Sequence, residues 1–253
     1  MTIYDDNDFI RLIGEMEDEY REVFDYKALA EEFNLNIKGV TTLEGFFKGT
    51  HFKKIILQGL DTSKIVNMND AFRDCQNLES VDLESLDLSS VESIANMFNG
   101  CISLKEINLS GMEIPRLTYM TNLFYDCKSL TKADLSNLNV QDLRYMNGVF
   151  RNCENLTDIN LSNIYAPYAG YGAQMFRNCK CLEKLDLFSF HAPRLIEVDK
   201  MFEGCSNLKV VSLSNDHARV WNELVFTYPN VNVLDKPIEK CLDSDKFQTT
   251  SMF

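Results

Sequence analysis

The sequence predicts an α/β repeat protein, a solenoid with one parallel β-sheet face, a helical N-terminal cap and a short C-terminal cap. Three observations predict this architecture. A phenylalanine, cysteine and leucine pattern recurs every 26 residues. The residues that follow each copy alternate in polarity, as in a short half-buried strand, and both ends of the chain space their apolar residues as helices do. One such unit cannot bury its own apolar side, so neighbouring units must stack.

The repeat unit begins with the pattern F-x-x-C-x-x-L. An earlier, degenerate unit starts at Phe47 and has Thr50 at the cysteine position, which makes seven units in all. Because stacking places equivalent residues above one another, the phenylalanines and the cysteines should each form a column inside the solenoid. The six complete units begin at Phe72, Phe98, Phe124, Phe150, Phe176 and Phe202.

The cysteine column accounts for six of the eight cysteines. Small apolar thiols suit a tightly stacked turn, so these residues are expected to be buried, reduced and structural. Cys181 falls outside this column, at a position that asparagine or serine fills in the other complete units. We therefore predict that Cys181 is more accessible than Cys179, with Cys241 as its only rival.

Each unit also changes its periodicity after the cysteine. In the stretch ESVDL, Val81 and Leu83 face one way and Asp82 the other, which predicts a short strand. The second half of the unit spaces its apolar residues mostly by two or three, which suits an arc of extended chain and 3₁₀ or helical turns. The arc leads back to the next strand.

The repeated stretches MFNGCISLKEINLS and VFRNCENLTDINLSN identify a family resemblance. Over about residues 43 to 215 the chain resembles the BspA-type leucine-rich repeat family. The resemblance implies a leucine-rich-repeat solenoid whose activity is adhesion or protein binding. Many members of that family are bacterial or protist surface proteins.

The chain is predicted to divide into an acidic helical N-terminal cap at 1–38, a solenoid of seven units at 39–215, and a C-terminal cap and tail at 216–253. Asp216 is expected to cap a short helix that ends before Pro229, and 231 to 234 should add a last edge strand.

The N-terminal cap is predicted to contain two helices with an acidic, solvent-facing side. That side would be either a solvated surface or a docking patch for a basic partner. The apolar positions of the first helix are Phe9, Ile13, Met16, Tyr20 and Val23. The acidic positions on its outer face are Glu15, Asp18, Glu19 and Glu22. The apolar positions of the second helix are Tyr26, Leu29, Ala30 and Phe33.

The net charge of -13 argues against direct nucleic-acid binding and favours a protein partner with a basic surface. The three histidines are scattered, and the sequence has neither a phosphate-binding glycine loop nor a CxxC pair. We therefore predict a protein without catalytic activity, cofactor or metal. The sequence shows no signal-like start and no membrane span, so a cytoplasmic location is expected, or a surface location if a signal has been removed.

The outward positions of the strands form the first predicted binding surface. Carboxylates and amides alternate along it and would receive basic side chains or, less favourably, calcium. The alternative is a solvated sheet face. The predicted binding residues of this strand column are Asp82, Asn108, Asp134, Asn160 and Asp186.

A second surface is predicted five residues before the phenylalanines, where tyrosines occupy three adjacent units. These residues are Tyr119, Tyr145 and Tyr171, and Tyr168 lies nearby in YAPYAGYGAQMF. Tyrosines close to arginines are typical of protein interfaces. The alternative is that the rings merely cover the side of the solenoid.

The sequence is thus best interpreted as a protein-binding module that presents the strand face and the tyrosines. A second interpretation is an inhibitor or decoy, of the kind made by a phage or mobile element, that blocks a basic nucleic-acid-binding host enzyme such as a defence nuclease. A third is a surface adhesin without its signal. The oligomeric state is left open.

Overall fold

Each repeat unit forms one coil that contributes one strand of three residues. The computed structural model describes residues 2–3, 6–18, 22–33, 36–37 and 40–238. The prediction of a parallel solenoid with seven units is confirmed. The strands of the seven coils are β4 Lys54–Ile56, β5 Ser80–Asp82, β6 Glu106–Asn108, β7 Lys132–Asp134, β8 Asp158–Asn160, β9 Lys184–Asp186 and β10 Val210–Ser212. The remaining strands are β1 Thr2–Ile3, β2 Val23–Asp25, β3 Asn36–Ile37 and β11 Asn232–Leu234, and the α-helices are α1 Asp6–Asp18, α2 Tyr26–Phe33 and α3 Ala218–Thr227.

The phenylalanine column is a continuous stack of seven rings with no solvent exposure. Successive ring centroids lie 5.2 to 5.7 Å apart, and the planes of successive rings differ by at most 22°. At one end Phe24 meets Phe47 edge-on, and at the other Tyr228 meets Phe202 edge-on. The predicted aromatic core of the solenoid is therefore confirmed.

The thiols of the six column cysteines bond to the neighbouring coil. Each thiol donates to the backbone carbonyl of a phenylalanine one coil back, as Cys127 does to Phe98 at 3.0 Å and Cys179 does to Phe150 at 3.1 Å. Burial raises the pKa of the Cys179 thiol well above its usual value and that of Cys205 to about 12. The thiols thus serve as neutral donors in the core.

Cys181 is partly exposed whereas Cys179 is buried, as predicted. Cys205, at the last complete coil, is also partly exposed, so the expectation that only Cys241 would rival Cys181 is wrong. The solenoid ends near Cys205, and fewer coils cover it. Cys241 itself lies outside the described residues.

Native-state alkylation with iodoacetamide should label Cys181 before Cys179. The thiolate is the reactive form, and burial keeps Cys179 both inaccessible and protonated. Trypsin cleaves after Lys180 and so places the two thiols on separate peptides, which mass spectrometry can follow over time. Cys205 is the internal control, because its raised pKa should slow its reaction despite partial exposure. Faster labelling of Cys179 would show that the repeat has been aligned wrongly.

The turns around each phenylalanine depend on residues with positive φ. Positions two before and two after the phenylalanine adopt φ values from 54° to 78°, and glycine, asparagine and aspartate fill most of them. These residue types tolerate the left-handed region better than others. This requirement explains why no helix forms between β4 and β10, where the sequence had suggested 3₁₀ or helical turns.

Two further ladders of backbone bridges run along the solenoid beside the strands. One ladder joins Thr42, Asn67, Ser93, Tyr119, Tyr145, Tyr171 and Glu197. The other joins Glu113, Asn139, Tyr165 and His191. The coils are therefore held together on more than the single sheet face that was predicted.

The predicted sheet face is also divided into three sheets of three strands. Strand β2 joins β4 and β5, β6 joins β7 and β8, and β9 joins β10 and β11. No bridge between described residues joins β5 to β6 or β8 to β9. Each interruption adjoins a coil that has a serine, Ser85 or Ser189, three residues after the end of its strand. Four other coils have a residue with positive φ there, namely Gly59, Gly111, Asn137 and Asn163.

At the N-terminus, Phe9, Ile13 and Met16 of α1 are buried. The Phe9 ring lies 5.6 Å from Phe46, at the first coil. Helix α1 ends at Asp18, so the placement of Val23 in it is wrong: Val23 is 43% exposed and begins β2, which pairs with β4. Glu15 and Glu22 are exposed, whereas Tyr20 and Glu19 lie outside the described residues. In α2, Tyr26 and Leu29 are buried, and Ala30 is half-buried.

At the C-terminus, α3 follows a 3₁₀ turn at Asn215–His217. Asp216 does not cap α3: the N-cap position is His217, and an oxygen of the Asp216 carboxylate instead lies 2.6 Å from Nδ1 of His191. Strand β11 pairs in parallel with β10, so the predicted edge strand is confirmed. Val220 and Leu224 of α3 are buried against the solenoid.

Candidate functional site

The residues of the strand column lie on one face, but their side chains hold the turns that follow the strands. Oδ1 of Asp134 accepts hydrogen bonds from the backbone and hydroxyl of Ser136, at 2.9 and 2.7 Å. Asn160 does the same with Ser162. In each case the bond spans two residues and closes an Asx turn. The D-L-S and N-L-S sequences of the repeat therefore stabilise the turn that follows each of these strands.

The other members of the strand column behave in the same way. Oδ1 of Asp82 and Oδ1 of Asn108 each accept the backbone N–H two residues on, and so does Oδ1 of Asp186. The second oxygen of Asp186 accepts the N–H of Ile238 at 3.0 Å, which ties down the end of the described chain. Part of the hydrogen-bonding capacity of this face is thus already in use within the protein.

Within the strand column, the Asp134 carboxylate nevertheless keeps its charge at neutral pH. Burial of Asp134 opposes its ionisation, but hydrogen bonds from Ser136 and Asn160 outweigh burial and lower the pKa of Asp134. Asp61 and Asp87, on a neighbouring side of the coils, have pKa values lowered by hydrogen bonds from Ser63 and Ser89. The solenoid therefore carries fixed negative charge on two of its sides.

The predicted tyrosine column is a stacked ladder. The rings of Tyr119 and Tyr145 are 4.9 Å apart and nearly parallel, at 3°, and those of Tyr145 and Tyr171 are 4.6 Å apart at 20°. Tyr119 is 46% exposed and Tyr171 36%. The backbone bridges between these residues set the ring spacing, because adjacent parallel chains lie about 4.8 Å apart.

Tyr168 lies beside this ladder and is held by two arginines. The guanidinium carbons of Arg144 and Arg194 lie 5.8 and 5.2 Å from the centroid of the Tyr168 ring, in cation–π contact. Neither arginine makes an ion pair among the described residues. Tyr168 is 44% exposed. We refer to Tyr119, Tyr145, Tyr168 and Tyr171 as the tyrosine flank.

A second aromatic pair, which was not predicted from the sequence, lies next to the tyrosine flank. The rings of Tyr165 and His191 stack at 4.9 Å with an interplanar angle of 3°, and Tyr165 is 55% exposed. Both residues lie eleven positions before a unit phenylalanine, so the 26-residue period could have revealed the pair. The exposed aromatic surface is thus wider than the predicted column.

A cleft between two coils was also missed. It has a volume of about 360 Å³ and lies where the bridges between β5 and β6 are interrupted. Its apolar lining comes from Leu86, Leu88 and Met112, and its acidic lining from Glu84, Asp87 and Glu113. We call it the β5–β6 cleft. The sequence signal for it is Ser85, which replaces the glycine or asparagine of most other turns.

No group of three or more histidine, cysteine or acidic side chains among residues 40–238 and the described N-terminal segments is arranged to hold a metal ion. Likewise, within the described part of the chain, no helix has the length and apolar character needed to cross a membrane.

The coils, ladders and exposed aromatic flank define a repeat protein of the parallel β-solenoid class. The chain belongs to the family described as "Mycoplasma protein of unknown function, DUF285", whose model matches residues 15–132 and 105–216. No curated protein matches it.

Two of the solved structures that are similar to the chain illustrate the likeness. One is a T. pallidum leucine-rich repeat protein, TpLRR, with 18% identity and a TM-score of 0.39 over 74% of this chain and 71% of that one. The other is the TLR13–ssRNA13 complex, with 15% identity and a TM-score of 0.28. That match covers 85% of this chain and 40% of the TLR13 chain, so this chain spans less than half of it.

Proposed function

We propose that this protein is a non-catalytic protein-binding module that engages its partner through the tyrosine flank. The observation that carries the proposal is the ladder of Tyr119, Tyr145 and Tyr171, whose rings stack in register on three adjacent coils, with the two outer rings exposed and Tyr145 half-buried. Aromatic residues are enriched at protein interfaces, where tyrosine and arginine contribute much of the binding energy.

The arrangement supports binding because the rings are ordered before a partner arrives. Stacking restricts each tyrosine, and the two arginines restrict Tyr168. A side chain that is already fixed loses little conformational entropy on association. The flank therefore offers a large contact area at a low entropic cost.

We propose further that the partner has a basic surface. The net charge of -13 and the acidic residues of the strand column support this choice, because complementary charge accelerates association. Asp82, Asn108, Asp134, Asn160 and Asp186 would act through this field more than through direct hydrogen bonds, since turn contacts already occupy them.

Three finer features belong to the same proposal. The coils would be of the BspA type, and the chain would divide into the cap at 1–38, the solenoid at 39–215 and the C-terminal part at 216–253. The protein would work in a reducing compartment such as the cytoplasm. The thiol-to-carbonyl hydrogen bonds of the cysteine column support this location, because they require reduced cysteine.

Replacement of Tyr119, Tyr145 and Tyr171 by alanine should lower partner capture by about tenfold or more. The test is affinity capture from the lysate of the native host, quantified by mass spectrometry, with wild-type protein and the triple variant on parallel resins. Circular dichroism should show that the triple variant remains folded.

Phe226→Ala provides a matched control for that experiment. Phe226 is 83% exposed on α3 and lies outside the flank, so its loss should leave capture unchanged. Equal capture by the folded triple variant and the wild type would refute binding through the tyrosine flank.

A further inference from the structure

The β5–β6 cleft exists because two neighbouring coils are joined on one side only. On the tyrosine side the backbone bonds are intact: Thr118 N–H donates to Glu92 at 2.9 Å, and Ile94 N–H donates to Tyr119 at 3.0 Å. On the strand side no bridge among the described residues joins β5 to β6, or Asp87 to Glu113. The two coils therefore diverge as a wedge.

The turn after β5 lacks a bond to the next coil that two later turns make. In later coils the equivalent turn is tied to its neighbour, since Gly111 N–H donates to Ser136 at 2.8 Å and Asn137 N–H donates to Ser162 at 2.9 Å. Both donors have positive φ, whereas Ser85 does not. Among the described backbone hydrogen bonds, none links Ser85 to the next coil.

The cleft combines an apolar wall with an acidic rim. Leu88 is buried, and Leu86 and Met112 are partly buried and pack against the core. Glu84, Asp87 and Glu113 are exposed at the opening.

No lysine, arginine or histidine among the described residues forms an ion pair with these three carboxylates. The serine hydroxyl and backbone N–H of Ser89 lower the pKa of Asp87, so this group stays ionised. The negative charge at the opening is therefore not neutralised by an ion pair within the described part of the chain.

We propose that the β5–β6 cleft receives a lysine or arginine side chain of the protein partner. The methylene stem would lie against Leu86 and Met112, and the cationic end would meet the carboxylates at the opening. Long basic side chains bury their stems and keep their charge near solvent in this way. The volume of about 360 Å³ lies at the small end of the range of ligand pockets, which suits one side chain.

This inference rests on the proposed function, because it specifies what part of a basic partner the solenoid recognises. It concerns a different surface from the tyrosine flank. The experiment uses small side-chain analogues and requires no partner, so its failure and the failure of partner capture are separate results.

The test is a titration of the full chain with n-butylguanidinium and n-butylammonium, followed by NMR of the methionine methyl groups. Met112→Leu identifies the Met112 signal. We expect a saturable shift of that signal with half-saturation on the order of 10 mM. The uncharged analogue n-butanol should bind more weakly, because it lacks the cation that the carboxylates attract.

The double variant Asp87→Asn with Glu113→Gln should weaken binding of n-butylguanidinium about fivefold. These substitutions keep the acceptor oxygens that bond to Ser89 and Asn139, so the turns should survive. Glu79→Gln is the matched control, since Glu79 is an exposed acid of the same coil outside the cleft. Absence of a saturable Met112 shift, equal binding of n-butanol, or equal weakening by Glu79→Gln would each overturn the proposal.

Discussion

Phe124→Ala should destabilise the protein by about 3 to 5 kcal/mol, which is the cost of removing a large buried ring from a core. Phe124 is the central ring of the phenylalanine column and lies 5.5 Å from both Phe98 and Phe150. Its loss removes two stacking contacts and leaves a cavity between coils that cannot close without breaking the backbone bonds around it.

The position of Phe124 should also change the form of the unfolding transition. In a solenoid each coil contacts only its neighbours, so a defect in the middle weakens the coupling between the two halves. Urea unfolding followed by circular dichroism should show a lower midpoint and a broader transition. The matched control is Phe226→Ala, which removes a ring that is 83% exposed and should cost less than about 0.5 kcal/mol. Similar losses for the two variants would contradict an interior phenylalanine column.

Gly204→Ala should cost about 2 to 3 kcal/mol, although it adds only one methyl group. Gly204 has φ of +78°, where a residue with a Cβ is strained. The added Cβ would also overlap Oδ1 of Asn178 and come within 3.3 Å of its Cα.

Asn178 has little freedom to move away, because its amide donates to Asn152 at 2.8 Å. The amide of Asn152 in turn donates to Asp126 at 2.8 Å. A glycine is therefore required where this ladder of side chains meets the next coil.

The Asn178→Ala and Gly14→Ala variants help to separate the cost of backbone strain at Gly204 from the cost of overlap with the Asn178 side chain. In an Asn178→Ala background the overlap is absent, so Gly204→Ala should cost less there than in the wild type. Gly14→Ala is the matched control, since Gly14 lies in α1 with open space where its Cβ would be. It should stabilise the protein by about 0.5 to 1 kcal/mol, because alanine favours helix. Denaturant midpoints of the wild type, Gly204→Ala, Asn178→Ala, their double variant and Gly14→Ala would measure these effects, and a neutral Gly204→Ala would contradict the tight contact.

The interior was predictable because stacked coils of the same kind place equivalent residues directly above one another. Once Phe124 and its equivalents recur at 26 residues, only columns can bury them together. The same argument placed Tyr119, Tyr145 and Tyr171 on adjacent coils, where the structure finds their rings stacked.

The predictions that failed concern residues with more than one available partner. Aspartate often caps helices, but the fold brings Nδ1 of His191 within 2.6 Å of the Asp216 carboxylate. The carboxylate therefore pairs with His191 instead of capping α3. Val23 has the spacing of a helix residue, yet pairing with Lys54 in the sheet places it in β2. A local sequence pattern cannot predict a contact with a residue that is distant in the sequence and comes close only when the chain folds.

By itself the sequence determined the period, the strand of each coil, the buried phenylalanine and thiol columns and the exposed tyrosines. All of these follow from the repetition of one unit. Only the tertiary structure decided where the coils separate, which arginines hold Tyr168 and which carboxylates border the β5–β6 cleft. These features depend on small differences between coils, such as the φ of Ser85, and on contacts between residues that are distant in sequence.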